Sequence, residues 1–392
     1  MRRFVISPAP GLYYGKDIIL ELPDLIAENG IRKIALITGK SSFPGTENWK
    51  KFTDYLKRKG IEYIHFSASG ENDPVAIDRI VASLSGEAVD AVIAVGGGTV
   101  LDAGKAVSAM LCMEGSITDY LEGVGTKTPT GAKLPFYAVP TTSGTGSEAT
   151  KNAVISRIGP GGFKKSLRHN KYIPEAAFLD PALITSCPQD ITAASGLDAI
   201  TQLIEAYVST GHNKYTDALA VEGLRFAGKS FPWTIEEGTD VEARGSMALA
   251  AYLSGIALAN AGLGVIHGAA STLGAMHKIP HGVVCGTLLG AATERIIEKL
   301  SSSEEGWNNS ALKRYAGAGV ALNGKDAGSI EDNCMALVNR LHKWIKKYAI
   351  KRLGDYGFTK QELKSAAGRV SLKNTPVKLD QKEIELILVS RL

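Results

Sequence analysis

The chain has 392 residues, 44% hydrophobic and 21% charged, which is enough for two ordinary globular domains with real cores. Forty-four basic and 40 acidic side chains leave a net charge of +4, too slight to mark nucleic acid or a membrane surface as the partner. Cys112, Cys187, Cys285 and Cys334 lie far apart with no CxxC pair, so neither a disulfide framework nor a zinc ribbon is expected.

The opening stretch MRRFVISPAPGLYYG has no apolar run of signal-peptide length. KIALITG (33–39) then reads as a strand and NWKKFTDYLKRKG as an amphipathic helix. YIHFSA (63–68) is the next strand, and DPVAIDRIVASLSG a helix capped by Asp73. DAVIAVGGG (90–98) is a strand entering a turn, TVLDAGKAVSAML the helix after it, and PFYAVPTT (135–142) a further strand. This alternation predicts a doubly wound parallel sheet. After residues 176–192 strand signals become scarce and Ala- and Leu-rich helical patterns take over. The expected division is an α/β domain over 1–185 and an all-helical domain over 186–392. The stretch 246–276 is the one candidate for a membrane span, but Tyr252, Asn260 and His267 interrupt it. It reads as closely packed buried helices, and a cytoplasmic setting is expected. The basic run WIKKYAIKRLG (344–354) reads as a solvated helix face.

AVIAVGGGTVLDAGKA is the strongest local signal in the first half. Three glycines at a strand end let the backbone approach a ligand, and the helix that follows aims free N–H groups at an anion. Gly96, Gly97, Gly98 and Thr99 are expected to line a pyrophosphate, with Asp102 one helical turn in. The spacing fits neither Walker A nor G-x-G-x-x-G. A second loop, PTTSGTGSEAT (140–150), offers Thr141, Thr142 and Thr145 on the same rim, where ligands of parallel sheets collect.

In SGLDAITQLIEAYVS (195–209), Asp198, Gln202 and Glu205 fall on one helix face among apolar residues. GVIHGAASTLGAMHKIPHG holds His267, His277 and His281, and Pro280 breaks the register, so His267 and His281 stand near separate helix starts. Imidazoles with a carboxylate favour zinc or ferrous iron. Asp198, His267 and His281 make three ligands and leave a position for a substrate oxygen.

GGGTVLDAGKA, PTTSGTGSEAT, FLDPALI, SGLDAITQLIEAYVS and HGAASTLGAMHKIPHG occur in the order seen in the iron-containing (group III) alcohol dehydrogenases, and the chain resembles that family. The resemblance implies the dehydroquinate synthase-like architecture: an N-terminal dinucleotide-binding α/β domain, a C-terminal helical domain, and a site between them. It implies Fe²⁺ or Zn²⁺ or another divalent metal, NAD or NADP, and a small alcohol or aldehyde as substrate. A homo-oligomer, a homodimer first among them, is the expected assembly. The family pattern departs at Gln202, where many members have a fourth histidine ligand, so Gln202 is a weaker ligand candidate. It departs again at Ser271, also histidine in many relatives, and His277 is the candidate to replace it near the substrate. Where relatives that prefer NAD carry Asp after the first long strand, this chain has Gly39, followed by Lys40 and Ser41; the expected cofactor is therefore NADP(H), with dual use open. Lys164 matches a family lysine near the ribose. Two rivals are kept: a glycerol-type dehydrogenase or cyclase on the same fold, and a nucleotide-binding protein whose metal site has decayed at Gln202.

Overall fold

A computed structural model describes residues 3–392. The strands are β1 (Gly11–Tyr14), β2 (Lys33–Thr38), β3 (Glu62–Ser67), β4 (Ala91–Gly96), β5 (Phe136–Pro140), β6 (Asn152–Arg157), β7 (Phe163–Arg168) and β8 (Ala176–Leu179). Six of them form one parallel sheet in the order β1-β8-β5-β4-β2-β3. Between them run α1 (Leu22–Glu28), α2 (Glu47–Arg58), α3 (Pro74–Ser83) and α4 (Gly98–Met110). β2, β4 and β5 are buried almost throughout, as continuous apolar runs covered on both faces must be. The chain leaves β2 toward β3 and returns on the other side to β4. The strand order therefore reverses between β2 and β4, where a crevice opens at the carboxyl ends.

β6 and β7 are a separate antiparallel hairpin, paired from Asn152↔Arg168 to Arg157↔Phe163. The parallel-sheet expectation did not include it. The turn between them carries Gly159, Pro160, Gly161 and Gly162, a hairpin punctuation. The hairpin packs against α4 on one side and a helix of the second half on the other.

The second half is helical among the described residues: α5 (Pro181–Ile184), α6 (Gln189–Val208), α7 (Lys214–Glu236), α8 (Val241–Ala261), α9 (Val265–Met276), α10 (His281–Ser301), α11 (Ser310–Asn323), α12 (Ile330–Lys347), α13 (Lys360–Ala367) and α14 (Gln381–Val389). The compositional boundary at 185 falls in the gap between α5 and α6. α6 lies at the centre, with Leu197, Ile200, Leu203 and Ile204 in one apolar cluster with residues of α7, α9, α10, α11 and α12. α8 and α9 meet at a 98° bend, and no single helix among the described residues is long and apolar enough to cross a membrane. In the basic run, Lys343, Lys346 and Lys347 are exposed and Trp344 and Ile345 are buried, the amphipathic face expected.

A buried cation ties the glycine turn to the next loop. Lys105 is 1% exposed. Its Nζ donates to the carbonyls of Ser147 and Asn152, at 2.8 and 2.9 Å, and to Thr150 Oγ1 at 3.0 Å. Burial pushes its ammonium down to about 8, against the pull of Asp102 and Glu148. Replacing Lys105 by Met leaves those acceptors without a donor. The expected loss is about 3 kcal/mol of unfolding free energy, read as a lower midpoint in a urea titration; an unchanged midpoint contradicts this role.

Candidate metal centre and cofactor cleft

α6 carries Asp198 and Glu205 inward, 1% and 6% exposed. His267 is the third residue of α9, and His281 the first of α10, directly after Pro280. One turn along α10, on the same face as His281, stands Cys285. The ligand atoms of Asp198, His267, His281 and Cys285 all lie within 4.8 Å of one another. His267 Nε2 and His281 Nε2 are 3.4 and 3.7 Å from Asp198 Oδ1. Cys285 Sγ is 3.7 Å from His267 Nε2 and 3.6 Å from His281 Nε2. Tetrahedral coordination with bonds of about 2.0–2.3 Å places neighbouring donors about 3.3–3.8 Å apart, and these four separations match it.

The electrostatics fit a cation. Asp198 Oδ1 is buried with no hydrogen-bond partner, an expensive state for a carboxylate oxygen. Burial pushes the carboxyl up, but His281 and His267 more than offset it, and it lies below its usual range. Burial drives His281 down to about 4, against the pull of Asp198, so its imidazole is neutral at pH 7. Burial also pushes the Cys285 thiol up to about 12, so it ionises near neutrality only against a strong positive charge. Glu205 serves His267: its Oε2 is 2.7 Å from Nδ1, and its Oε1 accepts from the Ile266 amide at 2.8 Å. Against the downward push of burial, the acids on both sides of the ring hold the His267 imidazole well above its usual range. The Glu205 pairing keeps a proton on Nδ1, so that a cation at Nε2 displaces only the other one.

Gln202 is placed otherwise than expected. It is buried beside the cluster, but its Oε1 accepts from Ser254 Oγ at 2.7 Å and its Nε2 donates to the Thr145 carbonyl at 3.3 Å. It links α6 to the hydroxyl-rich loop of the first domain, and it is Cys285 whose sulfur stands within 4.8 Å of the Asp198, His267 and His281 ligand atoms. His277 is a second correction. It ends α9, about 15 Å along the axis from His267 at 1.5 Å per residue. There it packs on Phe358 and meets Glu362 Oε1 at 3.0 Å. Ser271, at the substrate-side position, donates instead to the His267 carbonyl.

A cavity of about 230 Å³ connects this cluster to the glycine turn. Gly98, Thr99, Asp102, Thr145, Lys164, Gln202, His267 and His281 all line it. Gly97 caps α4 and Gly98 begins it. The need for glycine here is close approach, since a Cβ on Gly98 would sit 2.5 Å from the Thr145 methyl. Thr141 donates to the Gly96 carbonyl at 3.0 Å, and Thr142 lies against Gly97. These two back the turn from behind. Asp102 accepts from Ser147 Oγ and the Val154 amide, at 2.5 and 2.9 Å, so both its oxygens are engaged by protein. Lys164 Nζ is bound to Glu71 at 2.8 Å. Gly39 and Ser41 stand away from this cavity, in the loop after β2, with Lys40 and Ser41 exposed.

Cys285, Lys105, Lys151, Arg168 and Lys373 are site features that the sequence reading does not single out, whereas Lys164 of the hairpin is among its candidates. The i, i+4 pair in HGVVC was a visible signal for the first. Cobalt(II)-loaded protein is expected to show a thiolate-to-metal charge-transfer band, lost in Cys285→Ala and kept in Gln202→Ala. A band unaffected by Cys285→Ala contradicts the sulfur contact. Glu205→Gln is expected to weaken zinc binding by roughly 10–100-fold in a chelator competition.

Comparison with known proteins gives a consistent family. The profile described as iron-containing alcohol dehydrogenase matches residues 9–181, and that of the C-terminal part of the Fe-containing alcohol dehydrogenase family matches residues 192–392. The NAD-dependent methanol dehydrogenase of Bacillus methanolicus is 31% identical over 329 residues, covering 81% of this chain and 84% of that protein. The probable alcohol dehydrogenase EutG of Escherichia coli strain K12 is 37% identical over 280 residues, 71% of this chain and 66% of that one. A solved 1,3-propanediol oxidoreductase superposes with a TM-score of 0.88 at 26% identity, with all of both chains covered. The NADH-dependent butanol dehydrogenase A of Thermotoga maritima gives 0.84 at 25% identity, covering 100% of this chain and 99% of that one.

Proposed function

Since the chain belongs to the iron-containing alcohol dehydrogenase family, we propose that it interconverts a small alcohol and its carbonyl compound by hydride exchange with a nicotinamide cofactor in the cleft between its two halves. Residues 1–185 hold the dinucleotide, and 186–392 supply the metal and substrate side. The observation that carries this reading is the unpartnered Asp198 Oδ1, set among two imidazole nitrogens and a thiol at one end of the cavity that the glycine turn also lines. Methanol, propanediol and butanol dehydrogenases among the relatives and neighbours support the same class of reaction.

Asp198, His267 and His281, with Cys285 as the fourth donor, would hold Fe²⁺ or Zn²⁺, which when bound acts as a Lewis acid toward the substrate oxygen. The chain's own residues do the rest. Glu205 fixes the His267 tautomer. The free N–H groups at the start of α4 receive the pyrophosphate, with Thr99 and Thr145 beside it. Gln202 and Lys105 hold the hydroxyl-rich loop in place, which fixes the distance between the two reacting carbons. The buried walls around Asp198 and His267 keep water out. The loop after β2 offers Lys40 and Ser41 and no carboxylate, which favours NADP(H) through its 2′-phosphate. A second copy of the chain would cover the outer edge of β1, where Leu12 and Tyr14 are exposed.

Metal-loaded protein is expected to oxidise NADPH with short aldehydes and to lose that activity on chelation. Asp198→Asn should cost roughly 10³-fold in kcat/KM. A full rate in the chelated protein overturns the proposal. Gly39→Asp is expected to raise KM for NADPH at least about tenfold relative to NADH, by placing like charge against the phosphate; an unchanged ratio would place cofactor selection elsewhere.

A further inference from the structure

Cationic side chains outnumber carboxylates in the lining of the cavity beside the metal-ligand cluster. Lys151, Lys164, Arg168 and Lys373 line it, against the carboxylates Glu71 and Asp102. Lys164 is neutralised by Glu71 at 2.8 Å, and Arg168 is paired with Glu122 at 3.0 Å. The other two have no carboxylate partner among the described residues. Lys151 Nζ donates only to neutral groups, Ser7 Oγ and Asn170 Oδ1, each at 3.0 Å. Among the described residues no hydrogen bond or ion pair engages Lys373 Nζ; its backbone amide donates to Ser371 Oγ at 3.3 Å.

Lys373 is held in this position. Its backbone is left-handed, with φ of +48°, a conformation uncommon for a lysine. Neighbours pin the loop. Asn374 donates its amide to the Leu263 carbonyl at 2.9 Å, and its carbonyl accepts from Thr210 at 2.9 Å. The Ser371 carbonyl lies so close to Gly268 that a Cβ there would sit 1.8 Å away. Gly268 is the residue after His267. The loop is therefore clamped onto the turn that carries a metal ligand, and it presents an unpaired ammonium two residues further on. Lys373 stands on the helical wall with the metal ligands, while the expected pyrophosphate site is on the sheet wall.

We propose that the substrate carries an anionic group, a carboxylate, sulfonate or phosphonate a few bonds from the reacting carbon, and that Lys373 and Lys151 bind it, with Arg168 at the rim. This rests on the dehydrogenase reading above. An unpaired lysine facing a cavity of about 230 Å³ fits a short molecule, charged at one end and bearing the carbonyl at the other. A charge-assisted hydrogen bond to such a group favours it over a neutral isostere by about tenfold to a hundredfold.

The test compares kcat/KM for 4-oxobutanoate, 2-oxoethanesulfonate and 2-oxoethylphosphonate with that for butanal and propanal. The anionic aldehyde that fits is expected to lead its neutral counterpart at least about tenfold, and the three acids identify the headgroup. Lys373→Met should collapse that ratio through KM for the anion, and Lys373→Arg should restore most of it. A wild-type protein that prefers butanal, or a Lys373→Met variant that keeps the ratio, overturns the proposal. Calorimetry with the unreactive butanoate, ethanesulfonate and ethylphosphonate reads the same cations without hydride transfer. Binding lost in Lys373→Met sustains the anion site even if no aldehyde is reduced, in which case it is the dehydrogenase reading that fails. NADPH affinity that falls as far as anion affinity in Lys373→Met assigns the lysine to the cofactor and overturns the proposal.

Discussion

The structure depends on one constraint: a carboxylate oxygen buried on α6 without a hydrogen-bond donor. An ionised oxygen in that state is far too costly to persist for its own sake. Its surroundings show what compensates. Asp198 Oδ1 faces two imidazole nitrogens and a thiol at the spacing of a tetrahedral shell. A cation held among these donors would offset the cost of burying the acid, and the rest of the helical half positions its neighbours. Pro280 separates two helices so that both begin at one point, and Glu205 orients one of the histidines they bring.

The second requirement is that this centre face a cofactor. Its physical basis is a pair of polar ties. Gln202 crosses between the halves, from α6 to the Thr145 carbonyl, and within the first half Lys105 reaches from α4 to the carbonyls of the following loop and hairpin. Both are buried, so each bond lost leaves a polar group without water or partner. They fix the glycine turn against the metal side. The hairpin β6–β7 completes the enclosure and adds basic groups to the wall.

Much of this was legible in the residues. Four of the six strands of the parallel sheet (β2 to β5), the Asp73 cap, the glycine turn and the shared face of Asp198, Gln202 and Glu205 follow from periodicity and turn chemistry, whereas the four-residue strands β1 and β8 are too short to carry a periodic signal. What was missed has particular causes. The hairpin alternates weakly and is charged, FKKSLR, so it reads as surface. The glycine turn is expected to let a ligand approach the backbone, and at Gly98 the Thr145 side chain is a second close neighbour that excludes a Cβ. Gln202 was weighed as a ligand because of its position in the family pattern. The hydroxyl of Ser254, from a helix some fifty residues on, claims its carbonyl, and no local pattern shows that. His277 was drawn toward the site by sequence proximity, but a straight helix carries it away. Cys285 is isolated by its spacing to the other cysteines, and only its place one helical turn after His281 marks it.

Anomalous diffraction at the zinc and iron edges, from a crystal grown with nicotinamide cofactor and either metal, tests the central claim most directly. The account predicts a single peak at about 2.0–2.3 Å from Asp198 Oδ1, both Nε2 atoms and Cys285 Sγ, facing the nicotinamide. Density for the cofactor with no peak there, or an ion bound without Asp198, would contradict it.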